Sequence, residues 1–304
     1  MTVFRLHTRP KGGLANAKVS FDYCLRAGVL GLGWQTESQD NTATWGEFTK
    51  EAFEAYGEKE LSRVKYLKNN VVKDDLIWTR DTEGHYYLGK VNSGWEYFSN
   101  DEAKDADIVN VVRCDINKVT TVDDVPGKVI ACFRPSRTIQ AIRDKTADDY
   151  SKYLWNKISN TEYYDLPKES FKNVFSFLDS EETEDVIFVY LQTQGWIIIP
   201  NSRKADTMSY EFYLINRISK EKAIVQVKTG YTSLTPREWE DRKEKVFLFQ
   251  ANNQYKGQTE SEHVVSIDPS VIEKFMYNNK DLLPSNIVHW LELADSEKKM
   301  QPLL

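Results

Sequence analysis

Two neighbouring runs decide how this chain reads: Tyr210-Glu211-Phe212-Tyr213-Leu214-Ile215-Asn216 and, after the polar turn Arg217 to Glu221, Lys222-Ala223-Ile224-Val225-Gln226-Val227-Lys228. Both have the aromatic and β-branched content of strands, so the pair reads as a hairpin. Side chains alternate along a strand, so residues 224, 226 and 228 share a face. A turn centred on 218–219 sets Glu211 opposite or next to Gln226. A carboxylate, an amide oxygen and a lysine then crowd one patch at the end of a sheet. A carboxylate in so apolar a strand is costly to bury unless it binds something. The trio suits phosphodiester hydrolysis: hard oxygen ligands hold Mg²⁺, the metal polarises the phosphate and acidifies a bound water, and a lysine orients that water or stabilises the transition state. The plainer alternative is a half-buried hairpin with a solvated glutamine and lysine. Asp206 is an alternative to Glu211 as the metal acid.

Outward from this hairpin, a helix is expected near Ser180, capped by Asp179 or Ser180, with Glu181 and Glu182 at its positive end. Val186, Ile187, Tyr190 and Leu191 form its apolar stripe. Gly195 ends it, and Trp196-Ile197-Ile198-Ile199 reads as a buried strand stopped by Pro200. Strands follow at Val246–Phe249 and Val264–Ile267, then a C-terminal helical region. The order α-β-β-β-α-β-β-α predicts a mixed sheet flanked by helices.

On these residues, 175–295 resembles the PD-(D/E)XK nucleases, in their restriction-endonuclease-like branch with a Gln-x-Lys variant. The matching phrases are Glu184-Asp185-Val186 with Tyr190-Leu191-Gln192, Tyr210-Glu211-Phe212, and Val225-Gln226-Val227-Lys228-Thr229-Gly230, with Val246-Phe247-Leu248-Phe249 and Leu282-Leu283-Pro284 behind them. The resemblance implies an αβββαβ mixed sheet flanked by helices. It gives Glu211 the place of the metal-binding acid, Gln226 that of the second acid, Lys228 that of the catalytic lysine, and Glu184 that of a helix carboxylate at the metal. Glu stands at 211 where Asp is commoner in the family. Gln at 226 removes a negative charge from the site, which Glu184 would offset.

The first part of the chain is strand-rich. Strands are expected at Val3–Leu6, Gly28–Trp34, Asp75–Arg80, His85–Val91, Ile108–Cys114 and Lys128–Phe133, with Asp81-Thr82-Glu83-Gly84 as a tight turn. Helices are expected at Trp45–Tyr56, capped by Thr44, and over 137–158, capped by Ser136. The phrases Gly31-Leu32-Gly33-Trp34, Lys73-Asp74-Asp75-Leu76-Ile77-Trp78-Thr79-Arg80, Tyr86-Tyr87-Leu88-Gly89-Lys90-Val91 and Val111-Val112-Arg113-Cys114-Asp115 resemble the EVE branch of the PUA-like superfamily. That resemblance implies a small β-barrel with helices that reads a modified base. A flipped base needs aromatic walls and a few hydrogen-bonding edges. Trp34, Trp45, Trp78, Trp95 and Tyr97 are the candidate walls, with Trp34 and Trp78 inside the matching phrases. The alternative for each is a place in the barrel core. Arg80, Lys90, Arg203 and Lys204 are candidate phosphate contacts, and otherwise ordinary surface charges.

Composition sets the remaining bounds. The 304 residues suit two domains, expected at 1–160 and 173–304 with a linker over 161–172 around Pro167. Cys24, Cys114 and Cys132 form no metal-spaced pair and no disulfide framework, and with no signal-peptide pattern they suit a reducing cytoplasm. Four scattered histidines argue against zinc. No apolar run reaches membrane-spanning length. A triphosphate-binding Gly-x-x-x-x-Gly-Lys loop and a Gly-x-Ser-x-Gly elbow are both missing. The net charge of −6 weighs against nucleic-acid binding, although local patches decide that. Together the two resemblances imply a modification-dependent endonuclease: Mg²⁺ (or Mn²⁺) as cofactor, double-stranded DNA with a methylated or hydroxymethylated base as substrate, a homodimer on DNA, and a role in defence against phage. A reader of modified nucleic acid with a decayed nuclease, favoured by Gln226, and an RNA-directed nuclease remain as rivals.

Overall fold

The computed structural model describes residues 1–10, 16–37, 43–134, 137–166, 174–199, 210–257 and 261–300, the side chains of 296–300 excepted. The chain divides into two compact units, Met1–Pro167 and Lys168–Leu304.

The first unit runs β1 (Val3–Leu6), α1 (Ala17–Ala27), β2 (Val29–Leu32), α2 (Trp45–Tyr56), α3 (Ser62–Asn70), β3 (Leu76–Arg80), β4 (Tyr86–Val91), β5 (Glu96–Tyr97), α4 (Asp101–Asp105), β6 (Asn110–Lys118), α5 (Gly127–Cys132), β7 (Ile139–Ala141) and α6 (Lys145–Ser159). Its strands form one curled, half-barrel sheet in the order β2-β6-β4-β3-β1-β7, with β5 also on β6. Only β1 and β3 pair in parallel; the other pairs are antiparallel. Phe4, Leu6, Leu30, Phe48, Val64, Ile77 and Val111 fill the concave side. The opposite face of β3 carries Trp78, which is fully buried and donates its indole N–H to Ser151 Oγ of α6 at 2.9 Å.

Local chemistry explains most of these elements. Thr44 and Glu47 close a reciprocal capping box on α2. Asp81 closes the β3–β4 turn by accepting from the backbone of Glu83 and His85. Asn16 caps helix α1, and Gly28 ends it in the left-handed conformation. Two expectations change. Lys128–Phe133 falls on helix α5, not a strand; an apolar run this short fits either state, and Pro126 opens the helix. The helix expected over 137–158 is two elements, because Ile139–Ala141 pairs with β1 and Asp144 caps a later start. Ser136 lies outside the described residues. Residues 161–166 lie within the first unit, where Tyr164 donates its hydroxyl to the carbonyl of Asp74 at 2.9 Å.

The second unit runs α7 (Ser180–Thr193), β8 (Trp196–Ile198), β9 (Phe212–Asn216), β10 (Lys222–Lys228), β11 (Lys245–Gln250), β12 (Val264–Ile267), α8 (Pro269–Asn278) and α9 (Ser285–Met300). The sheet order is β12-β11-β10-β9-β8. Strands β8, β9 and β10 form an antiparallel meander, and β11 and β12 continue it in parallel. A 3₁₀ turn at Pro236–Trp239, in place of the expected helix, lies in the crossover from β10 to β11. Strand β8 is an edge strand rather than a buried one, and Ile197 is 50% exposed.

Registers assign the two faces of this sheet. Phe212, Val225 and Phe247 form one row across β9, β10 and β11. On that face α7 packs through Phe188, whose ring lies 6.0 Å from that of Phe212. The other face carries Ile224, Val246 and Leu248 under Leu234 and Trp239 of the crossover.

Candidate functional site

Glu211 immediately precedes β9, and its backbone N–H continues the ladder by donating to the carbonyl of Val225 at 2.8 Å. This register sets the Glu211 side chain beside Gln226. Gln226 donates Nε2–H to Glu211 Oε1 at 2.5 Å and to its neighbour's carbonyl, Val227 O, at 3.1 Å. Lys228, two residues further on the same face, approaches the same carboxylate oxygen at 3.4 Å. Gln226 is buried, while the Glu211 and Lys228 side chains keep 27% and 38% exposure. The three groups thus join a buried amide to a partly exposed ion pair.

The strand end is held rigidly. Gln250, paired with Lys228 across β10 and β11, is fully buried and uses its whole amide. Its Nε2 donates to the carbonyls of Gly230 and Thr232 at 2.9 and 3.1 Å, and its Oε1 accepts from the backbone of Asn252 and Gln254 at 2.7 and 2.8 Å. One side chain therefore ties the loop after Lys228 to the loop after β11. A buried amide so fully satisfied fixes geometry, because any displacement leaves polar groups unpaired. The sequence reading missed Gln250; its signal was a lone polar residue closing the apolar run Val246–Phe249.

Glu184 sits half-buried on α7, which packs on the Phe212 face, whereas Glu211, Gln226 and Lys228 project from the other. Glu182, two residues earlier, is the buried acid of this helix. It completes the capping box with Asp179 and accepts from Asn286 Nδ2 at 2.6 Å. Asp206, Arg203 and Lys204 lie outside the described residues. Among the described residues no group of three or more His, Cys, Asp or Glu side chains is placed to hold a metal. A cation here would draw instead on one carboxylate, the Gln226 amide oxygen and the Val227 carbonyl. That oxygen-only set fits a hard cation such as Mg²⁺ that keeps several waters. Seating it would turn the amide of Gln226 so that its oxygen faces inward.

In the first unit a cavity of about 500 Å³ opens at the end of β2, lined among others by Gly31, Gly33, Trp34, Gln35, Arg63 and Asp107. The two glycines are required by close approach. A Cβ on Gly31 would stand 2.5 Å from the Asn110 carbonyl, and one on Gly33 would stand 2.6 Å from the Asp107 carboxylate. Trp34 adopts φ 66°, a conformation costly for a bulky side chain, and such strain concentrates at ligand sites. The backbone is held there by Asn110, which donates Nδ2–H to the Gly33 carbonyl at 2.5 Å. Gln35 donates to Asp107 Oδ1 at 3.2 Å, and the guanidinium of Arg63 stands 5.9 Å from the Trp34 ring centroid.

The other aromatic candidates have different places. Trp78 and Tyr97 are core: Trp78 is sealed against Ser151, and Tyr97, 1% exposed, accepts from Thr36. Trp45 and Trp95 pack edge to face at 5.0 Å and both meet Phe48, so they form a cluster over the core. Only Trp34 of the five lines the cavity. Lys90 pairs with Asp115 at 3.6 Å and caps the Tyr163 ring at 4.0 Å, which commits it within the fold. Arg80 lies over Tyr86 and Phe133 beside a separate cavity.

Compared with known families and with curated proteins, the chain matches no family model and no curated protein.

Proposed function

We propose that this chain is a Mg²⁺-dependent DNA endonuclease whose first unit reads a modified base. The observation that carries the proposal is the convergence of Glu211, Gln226 and Lys228 on one sheet face, with a single carboxylate oxygen shared by the amide and the ammonium. The mixed sheet with its flanking helix α7 is compatible with a restriction-endonuclease-like core, and the half-barrel sheet with a PUA-like one. Glu211 and Gln226 would hold the cation, and Lys228 would hold the attacking water or the developing charge on the phosphate. When bound, the metal polarises the phosphoryl oxygen and lowers the pKa of a water. Trp34 offers the stacking face for an extruded base, and Gln35 and Asp107 offer its polar edges.

The single carboxylate favours one other reading, a non-catalytic reader of modified nucleic acid. Calorimetry with Mn²⁺ on the wild type and on Glu211→Gln separates the two. The nuclease reading expects metal heat that the substitution removes, and plasmid nicking that disappears with it. Absence of both in a wild-type protein that still binds modified DNA would favour the reader.

A further inference from the structure

We propose that the first unit contains a second ligand site, for a phosphate group, where β1 and β3 end side by side. Its basic residues gather round the ring of Phe133. The Arg5 guanidinium lies 5.5 Å from the ring centroid, that of Arg80 5.2 Å, and the His7 ring 5.9 Å. Arg9 and Arg137 are close enough to act electrostatically on Arg5. Among the described residues none of Arg5, Arg9, Arg80 and Arg137 has a carboxylate at ion-pair distance. Asp81 borders the same space but is engaged within its own turn, accepting from the backbone of Glu83 and His85 and from the rings of His85 and Tyr87. Glu83 also lines this space, at its exposed side, and approaches His85 at 3.8 Å.

The cluster is also short of acceptors. Arg5 is fully buried and gives Nη1 to the carbonyls of Arg137 and Thr138, yet its Nε and Nη2 have no partner. The hydroxyl of Thr8, 6% exposed, has no partner, and neither does the Nδ1 of His7. Native folds seldom leave buried donors and uncompensated charge in this state. Thr8, His7, Arg9 and Arg80 face a cavity of about 420 Å³, and Ala17, the first residue of α1, completes its wall. The positive end of that helix adds to the same field. Burial and the surrounding arginines push the His7 imidazole down to about 4, which marks how strongly this spot selects against further positive charge.

A tetrahedral oxyanion in this cavity would offer acceptor oxygens to the Arg9 and Arg80 guanidiniums and to the Thr8 hydroxyl, with the buried charge of Arg5 adding to the field. The site rests on the first unit alone and is independent of the nuclease reading. Titrating inorganic phosphate into the full chain in sulfate-free buffer tests it, read by calorimetry and by the His7 imidazole resonances. The expected result is one saturable site per chain, weakened roughly tenfold by Arg80→Gln and by Thr8→Val, each the loss of one charged hydrogen bond or its acceptor field. Both variants lie on the cavity wall, and a thermal melt checks that they fold. A 5′-phosphorylated oligonucleotide that competes with phosphate, where its 5′-hydroxyl counterpart does not, would assign the group to a strand end. Phosphate binding without such competition would assign a free phosphate ligand. No heat and no His7 shift at millimolar phosphate, or equal binding by both folded variants, would overturn the proposal.

Discussion

Trp78 in the first unit and Gln226 in the second are both buried strand residues with a hydrogen-bonding side chain, and they play opposite parts. Trp78 gives its N–H to Ser151 of the covering helix, so its polarity is consumed inside the core. Gln226 gives its amide to Glu211, whose carboxylate also meets Lys228 at the solvent edge. The difference lies in what the partner does next. Ser151 passes its own hydroxyl to the backbone of Ala147, closing the chain of bonds. Glu211 leads outward to a charged pair that remains partly exposed. Buried polarity that ends in the backbone builds structure; buried polarity that ends in an accessible charge builds a site.

The largest expected effect breaks the first half of this comparison. Trp78→Ala should cost about 3–5 kcal/mol of stability, seen as a large fall in melting temperature. Trp34→Ala should cost clearly less, because Trp34 is only partly buried where it lines a cavity. Equal losses from the two would erase the distinction between core and wall. Next, Lys228→Ala should lower cleavage by about 10²–10³-fold with little change in stability. A variant that instead unfolds would make Lys228 structural.

Gln226→Glu sharpens the second half. It places a second carboxylate against Glu211, and their repulsion is relieved only when a cation binds. Mg²⁺ affinity should rise roughly tenfold, since charge count tunes such sites, and the metal-free protein should melt lower. The smallest effect concerns Asp148 on α6, whose pKa is raised to about 6, first by burial and then by nearby Asp149 and Asp144 against the opposing pull of Lys152. Because the folded value lies above the unfolded one, this group contributes stability at pH below about 4 that is lost as pH rises through about 6. Asp148→Asn should remove that loss and gain on the order of 1 kcal/mol near neutrality after allowance for solvent screening. Melting curves at pH 4 and pH 7.5 check it; a gain at both would point to another cause.

What could be read beforehand follows the same division. The hairpin carrying Glu211, Gln226 and Lys228 was legible because alternation and turn length fix register, and register fixes which side chains meet. Thr44 was legible as a cap for a local reason, and so was a cap at Asp179 or Ser180, of which Asp179 is the one used; their box partners Glu47 and Glu182 were not read as such. The aromatic wall was not, since five similar residues compete for it and only long-range packing separates Trp34 from Trp78. Asp107, Asn110 and Arg63 went unnoticed in the same cavity because nothing local links them to Trp34. The Lys128–Phe133 segment failed because a short apolar run carries no period of its own. Arg5 was hidden most completely: in the sequence it is one charge in a short strand, and only burial makes it an anomaly.

The most direct test of the central claim is cleavage by the purified protein, with Mg²⁺, of three DNAs of one sequence: unmodified, cytosine-methylated and cytosine-hydroxymethylated. Lys228→Ala and Trp34→Ala would run beside the wild type. The account predicts cutting confined to a modified DNA, abolished by Lys228→Ala and stripped of its preference by Trp34→Ala. No cutting of any of the three, or cutting that survives Lys228→Ala in a folded protein, would contradict it.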